Sequence, residues 1–217
     1  MRTRGLVLIV LSAAMMSSCK GRLLPVSDSD VAAEVKASGT SQAAAEVGLA
    51  TLRSLVQQQN YAGLGFSSVE QAQHAQLSEP MRIYRVGLDV LKAFKEGSNV
   101  DSLLVDGRKS IYPVMVDQRV VSSISVTQRE DGWRPTDFGN AALARALSSH
   151  RQSKDDIVIW VPAMKIYFTA RGSGESLVLT PIMDDPRFDF KSGEAMPASR
   201  AFAVLQRSAS DYNGLPQ

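Results

Sequence analysis

Apolar positions along the chain change period several times, and each change predicts an element. Over residues 42–59, Ala44, Val47, Leu52, Leu55 and Val56 recur at helical spacing, while Gln57, Gln58 and Gln59 are polar. This predicts a helix with Ser41 as its N-cap. The string Asn60-Tyr61-Ala62-Gly63-Leu64-Gly65 ends it with turn residues. Ser67 and Glu70 have capping-box spacing and predict a shorter helix that stops before Pro80. From Met81 the period changes to two. Tyr84, Val86 and Leu88 alternate with Arg82, Arg85 and Asp89 as in a half-buried strand, and residues 90–95 have room for one helical turn.

Residues 111–116 and 120–127 are rich in β-branched side chains and are joined by Asp117-Gln118-Arg119, which is hairpin spacing. Pro113 cannot donate to a ladder and is expected at an edge or a strand start. Asp131-Gly132 predicts a second turn and residues 133–138 a short strand. Residues 140–148 read as a helix. Strands are expected at 157–161, 165–170 and 176–183, with Arg171-Gly172-Ser173-Gly174 as a turn. A last helix over 199–207 has Phe202 and Leu205 inward and a polar, frayed end from Ser208. Strands do not alternate regularly with helices. The expected class is therefore α+β, a mainly antiparallel curved sheet packed with an N-terminal helix and further short helices. In architecture this is similar to cystatin-like and NTF2-like folds, with no motif attached to the likeness and no function implied by it.

The amino terminus has a different pattern. Arg2 and Arg4 precede an apolar run from Leu6 to Met16, and small residues follow. That is the layout of a secretory signal. The run is too short for a membrane span, which needs about 20 apolar residues. The string Met16-Ser17-Ser18-Cys19 resembles the lipobox of bacterial lipoproteins. The resemblance covers only these first residues. It implies cleavage before Cys19, diacylglycerol (palmitate-type acyl chains) on its sulfur and acylation of its new amine. Cys19 is the only cysteine, so no intramolecular disulfide supports the fold. Lys20, in place of an Asp after the cysteine, points to the outer membrane. The domain expectation follows: 1–18 as signal peptide, 19–41 as lipidated cysteine and flexible tether, 42–210 as one α+β domain and 211–217 as a disordered tail. The tether is rich in Ser, Asp, Ala, Gly and Thr and has too little apolar surface to offset its ordering entropy. Asp28 and Asp30 within it lack the Gly and distal Glu of a calcium loop.

Charge then limits the partners. Removing residues 1–18 takes away Arg2 and Arg4 and no acid, so the 24 Lys and Arg fall to 22 and match the 22 Asp and Glu. Near-zero net charge argues against nucleic acid, which calls for a surplus of cations on one face. The expected partners are the membrane, through the lipid, and a protein or glycan of the envelope.

Candidate chemistry is sparse. His74 and His150 each lie in or beside a predicted helix, and neither has a second His at i+4 to build a metal site. No nucleophile elbow, P-loop or dinucleotide fingerprint is complete. Asp184, Asp185 and Asp189 form the least ordinary cluster. They are candidates for a metal site or an acid/base pair, with turn chemistry and neutralisation by Arg187 as the competing explanation. Two carboxylates suffice for glycosidase-type chemistry, so a hydrolase stays open, as does a peptidase inhibitor or chaperone. The aromatic residues Tyr112, Trp133, Phe138, Trp160, Tyr167 and Phe168 could form a pocket or an interface anchor, but at 6% of the chain the core needs most of them. The leading expectation is a non-enzymatic binding or assembly module without cofactor. Its surface would be the serine face of the hairpin, Ser123 and Ser125 with Thr127, set opposite Ile124 and Val126, and Trp133 is the next candidate.

Overall fold

The computed structural model describes residues 37–212. Cys19, Asp28, Asp30 and most of the expected tether therefore lie outside the described residues. Among the described residues there are five α-helices: α1 (Ser41–Leu55), α2 (Val69–Gln73), α3 (Leu88–Lys92), α4 (Ala141–His150) and α5 (Ala198–Asp211). The strands are β1 (Gln76–Leu77), β2 (Met81–Val86), β3 (Leu104–Val116), β4 (Arg119–Arg129) and β5 (Gly132–Phe138) in the first part of the chain. They continue as β6 (Ile157–Val161), β7 (Ile166–Arg171), β8 (Val178–Pro181) and β9 (Met196–Pro197). All nine form one open sheet in the order β5-β4-β3-β2-β6-β7-β8-β9, with β1 also on β3. Among the described strands only β2 and β6 pair in parallel. The class is α+β, as the sequence pattern predicts.

Helices cover both faces of the sheet. On one face α1 packs Ala44, Leu49 and Leu52 against Tyr112, Val114, Ile124 and Val126. On the same face, towards the other end, α5 places Phe202 and Leu205 in a larger cluster with Ile159, Phe168, Leu179 and Phe190. The opposite face carries α4, whose Leu147 packs with Met81, Ile83, Ile111 and Val158.

The helices differ from expectation in instructive ways. Thr40, not Ser41, is the N-cap of α1: its hydroxyl accepts from the Ala43 amide. The hydroxyl of Ser41 instead accepts from Tyr112 at 3.0 Å. Val47 and Leu55 are exposed. The helix is rotated so that Gly48 meets the sheet, where an added Cβ would lie 2.8 Å from Ile124 Cγ2. The smallest residue sets the closest approach, and the buried stripe shifts to Ala44, Ala45, Gly48, Leu49 and Leu52. Gly65 has a positive φ and a Cβ there would meet the Val121 carbonyl, so the turn after α1 has no room for a side chain. The cap of α2 is Ser68, one residue after the expected Ser67. The last helix keeps Phe202 and Leu205 inward as expected but runs on to Asp211, so residues 208–211 are helical and not frayed.

The β3–β4 hairpin turns on Asp117 and Gln118, both at positive φ. These are the left-handed conformations of a two-residue type I′ connection. Pro113 lies in the interior of β3, contrary to its expected edge position. Its carbonyl accepts from Ser78 on the side where β1 ends and β2 has not begun. In an antiparallel strand N and O of one residue point the same way, so the missing N–H falls in that gap.

Candidate functional site

The alternation along β4 places its side chains as the sequence predicts. Ile124 and Val126 join the α1 cluster. Ser123, Ser125 and Thr127 fall on the opposite side. That side is not the open, watered surface expected. The α4 helix crosses it, and Ser123 and Ser125 are only 5% and 7% exposed. The Ser123 hydroxyl donates to the Gly139 carbonyl just before α4. The hydroxyl of Ser125 has no hydrogen-bond partner among the described residues, yet it is not sealed off, because it lines a cleft.

This cleft measures about 340 Å³ and opens beside the first turn of α4. Register brings its walls together. Ile111, Ser125 and Asp137 lie side by side on β3, β4 and β5. Ile83 and Ile111 form an apolar floor, and Phe138, Asn140 and Leu143 come from the approach to α4 and its first turn. Asn140 stands in a left-handed conformation and its side-chain oxygen caps the Leu143 amide. Trp160 and Tyr167, directly paired on β6 and β7, close the far side. Their rings are 5.7 Å apart and within 4° of parallel. Both are half-buried.

Lys109 and Asp137 are the charged lining residues, and they pair at 2.6 Å. The cleft is thus close to neutral. Burial, and then the charge of Asp137, push the Tyr167 phenol above its ordinary range, so it is a neutral hydroxyl at physiological pH. Trp133 does not belong to this group. It packs on the α1 side and pairs with Ser38 through two 2.8 Å backbone hydrogen bonds.

A second cleft, of about 290 Å³, lies by the last turn of α4 and is lined by His150, Asp156, Thr169, Arg171 and Thr180 among others. Its carboxylate is fully occupied. Asp156 accepts from the Gln152 and Ser153 amides and from Arg171. Burial pushes this carboxyl up, but the Arg171 bond and the two amides outweigh it and hold it below the usual range. His150 Nε2 lies 2.9 Å from the Ser192 hydroxyl. No carboxylate meets the other ring nitrogen among the described residues, so the pair lacks the orienting group of a nucleophile–base set.

The aspartates singled out from sequence take separate local roles. Asp184 accepts from the Ser192 amide at 2.7 Å. Asp185 accepts from the Arg187 side chain at 2.6 and 2.9 Å, and that bond holds its carboxyl below the usual range. Asp189 is exposed at a left-handed turn position. These contacts give no shared acid/base geometry, and among the described residues no group of three or more acidic, His or Cys side chains could hold a metal ion. Turn chemistry accounts for the cluster. Sequence reasoning named Trp160 and Tyr167 only within a general aromatic set, and it missed Lys109, Asp137 and Asn140. The signal for the aromatic pair was available, since the two residues flank the short β6–β7 connection and hairpin partners face each other.

No protein-family profile, no curated protein and no solved structure matches the chain. Among the described residues no helix is long and apolar enough to cross a membrane.

Proposed function

We propose that this chain is a lipid-anchored binding module of a bacterial envelope, held through Cys19 and recognising an envelope component in the cleft beside α4. The anchor rests on the lipobox-like string Met16-Ser17-Ser18-Cys19. Each buried CH₂ contributes about 0.8 kcal/mol, so two or more acyl chains hold a protein stably where one does not. The observation that carries binding is the Ser125 hydroxyl, which opens into the cleft and has no hydrogen-bond partner among the described residues, beside half-buried aromatic rings. A few placed polar groups in a largely apolar concavity are what ligand recognition uses. A carboxylate hydrolase would need two convergent acids, and among the described residues Asp137 is the single acid that lines this cleft.

The test uses the mature full chain purified in detergent. Mass spectrometry should find Cys19 as an acylated amino terminus; an unmodified Cys19 ends the anchoring half. For the binding half, Ser125→Trp fills the cleft and Asp137→Ala removes an exposed lining charge. Both should reduce retention on isolated envelopes several-fold. The Asp137 side chain is 61% exposed, so Asp137→Ala should keep the near-UV circular dichroism of the parent. Normal retention by folded Asp137→Ala and Ser125→Trp would refute the cleft.

A further inference from the structure

We infer that the cleft beside α4 accepts a neutral pyranose ring of a glycan, with Trp160 and Tyr167 as its apolar platform and Ser125, Asp137 and Lys109 as hydrogen-bonding groups. The inference rests on the cleft being the binding site. A pyranose is amphiphilic in a particular way: its C–H bonds give apolar patches on the ring face, and hydroxyls that both donate and accept ring its edge. A matching site needs aromatic surface, mixed donors and acceptors, and little net charge.

The cleft has each of these. Two parallel rings line one side. The ionised Asp137 only accepts, the Lys109 ammonium only donates, and the Ser125 hydroxyl does both. The Ser125 hydroxyl opens into the cleft and makes no hydrogen bond among the described residues, so both its donor and its acceptor capacity are available to a ligand hydroxyl. The Lys109–Asp137 pair neutralises itself at 2.6 Å. It offers no surplus charge to a phosphate or to a cationic peptide. A volume of about 340 Å³ sits at the small end of the ~300–1,000 Å³ typical of ligand pockets, which suits one or two sugar rings. The second cleft offers no comparable set, because its carboxylate is saturated by Arg171 and two amides.

Titration calorimetry on the mature full chain tests this with three probes: N,N′-diacetylchitobiose, maltose and inorganic phosphate. At least one disaccharide should bind saturably, phosphate should not, and Tyr167→Ala and Asp137→Ala should each weaken the disaccharide about tenfold or more. Circular dichroism checks that both variants are folded. If folded Tyr167→Ala and Asp137→Ala bind the disaccharide as the parent does, the ring sits elsewhere and the inference is wrong. If phosphate binds better than either sugar, the site is an anion site and the inference is wrong. If neither sugar binds while Ser125→Trp and Asp137→Ala still reduce envelope retention several-fold, the saccharide assignment falls and the cleft stands. If neither sugar binds and retention is also unchanged, both fall.

Discussion

Asp156 keeps its charge nearly out of reach of water: its side chain is 4% exposed, and three donors hold it where the segment after α4 meets β7. Asn at this position keeps the shape but loses the charge and turns one acceptor into a donor facing donors. Losing charge-assisted bonds of this kind costs about 2 kcal/mol. In a domain of this size that is a melting temperature lower by roughly 6 °C. The sign of its pH dependence follows from the lowered carboxyl. A group whose folded value is depressed stabilises fully above its unfolded value, near about 4, and loses that contribution as pH falls through the folded value. Calorimetric scans should therefore show Asp156→Asn least stable relative to the parent at pH 7, with the gap closing below pH ~4. A gap that persists unchanged to pH ~2 would contradict the assignment. Ser125 shows what residue patterning conveys. Its place opposite Ile124 and Val126 follows from the two-residue period of a strand. The period says which way a side chain points, not which element crosses that side, so the burial of Ser123 and Ser125 under α4 could not be read from it.

Elements were legible where local chemistry decides them. The β3–β4 hairpin announces itself through β-branched runs either side of a short polar connection. Its turn is made by Asp117 at 49°, a residue type that tolerates positive φ, and by Gln118 at 62°, which is poorly suited to it. A non-glycine residue in the left-handed region costs about 1–2 kcal/mol. Gln118→Gly should remove most of that and lose part of the gain to the entropy of the unfolded chain, for a net stabilisation of about 0.5–1 kcal/mol. Urea unfolding measures it, and a destabilised variant would mean that the Gln118 side chain makes a contact the turn depends on. The first half of β3 was not legible. Residues 104–110 are mostly polar and carry Gly107 and a left-handed Arg108, where the register against β2 jumps between Ile83 and Tyr84. A bulge of this sort breaks the alternation that identifies a strand. Two-residue β9 is too short to show any period. In β2 the expected alternation of Tyr84 and Val86 with arginines is incomplete, because Met81 and Ile83 are buried on the opposite side by α4. Arg82 and Arg85 stay exposed, so β2 shows neither a clean alternation nor a continuous apolar run.

The whole molecule is a sheet with helices on both sides, and this decides where function can sit. The class was legible from the lack of regular strand–helix alternation. The covering of both faces was not, because it depends on where α4 returns after β5, which is a long-range choice. An exposed hydroxyl face would have been a flat docking surface. Roofed by α4, the same hydroxyls become part of a small concavity with Lys109, Asp137, Trp160 and Tyr167. The candidate site is therefore assembled from strands β2 to β7 and the start of α4, and no short motif could announce it. The two tryptophans lie on opposite faces of the sheet, Trp160 in the cleft and Trp133 against α1. Their indole N–H signals in a nitrogen–proton NMR spectrum of the mature chain in detergent micelles therefore test the central claim in one titration. When solubilised envelope fragments are added, the Trp160 signal should shift or broaden in a saturable way while that of Trp133 stays in place. Movement of Trp133 with Trp160 unchanged would contradict the claim and put the binding surface on the α1 side of the sheet.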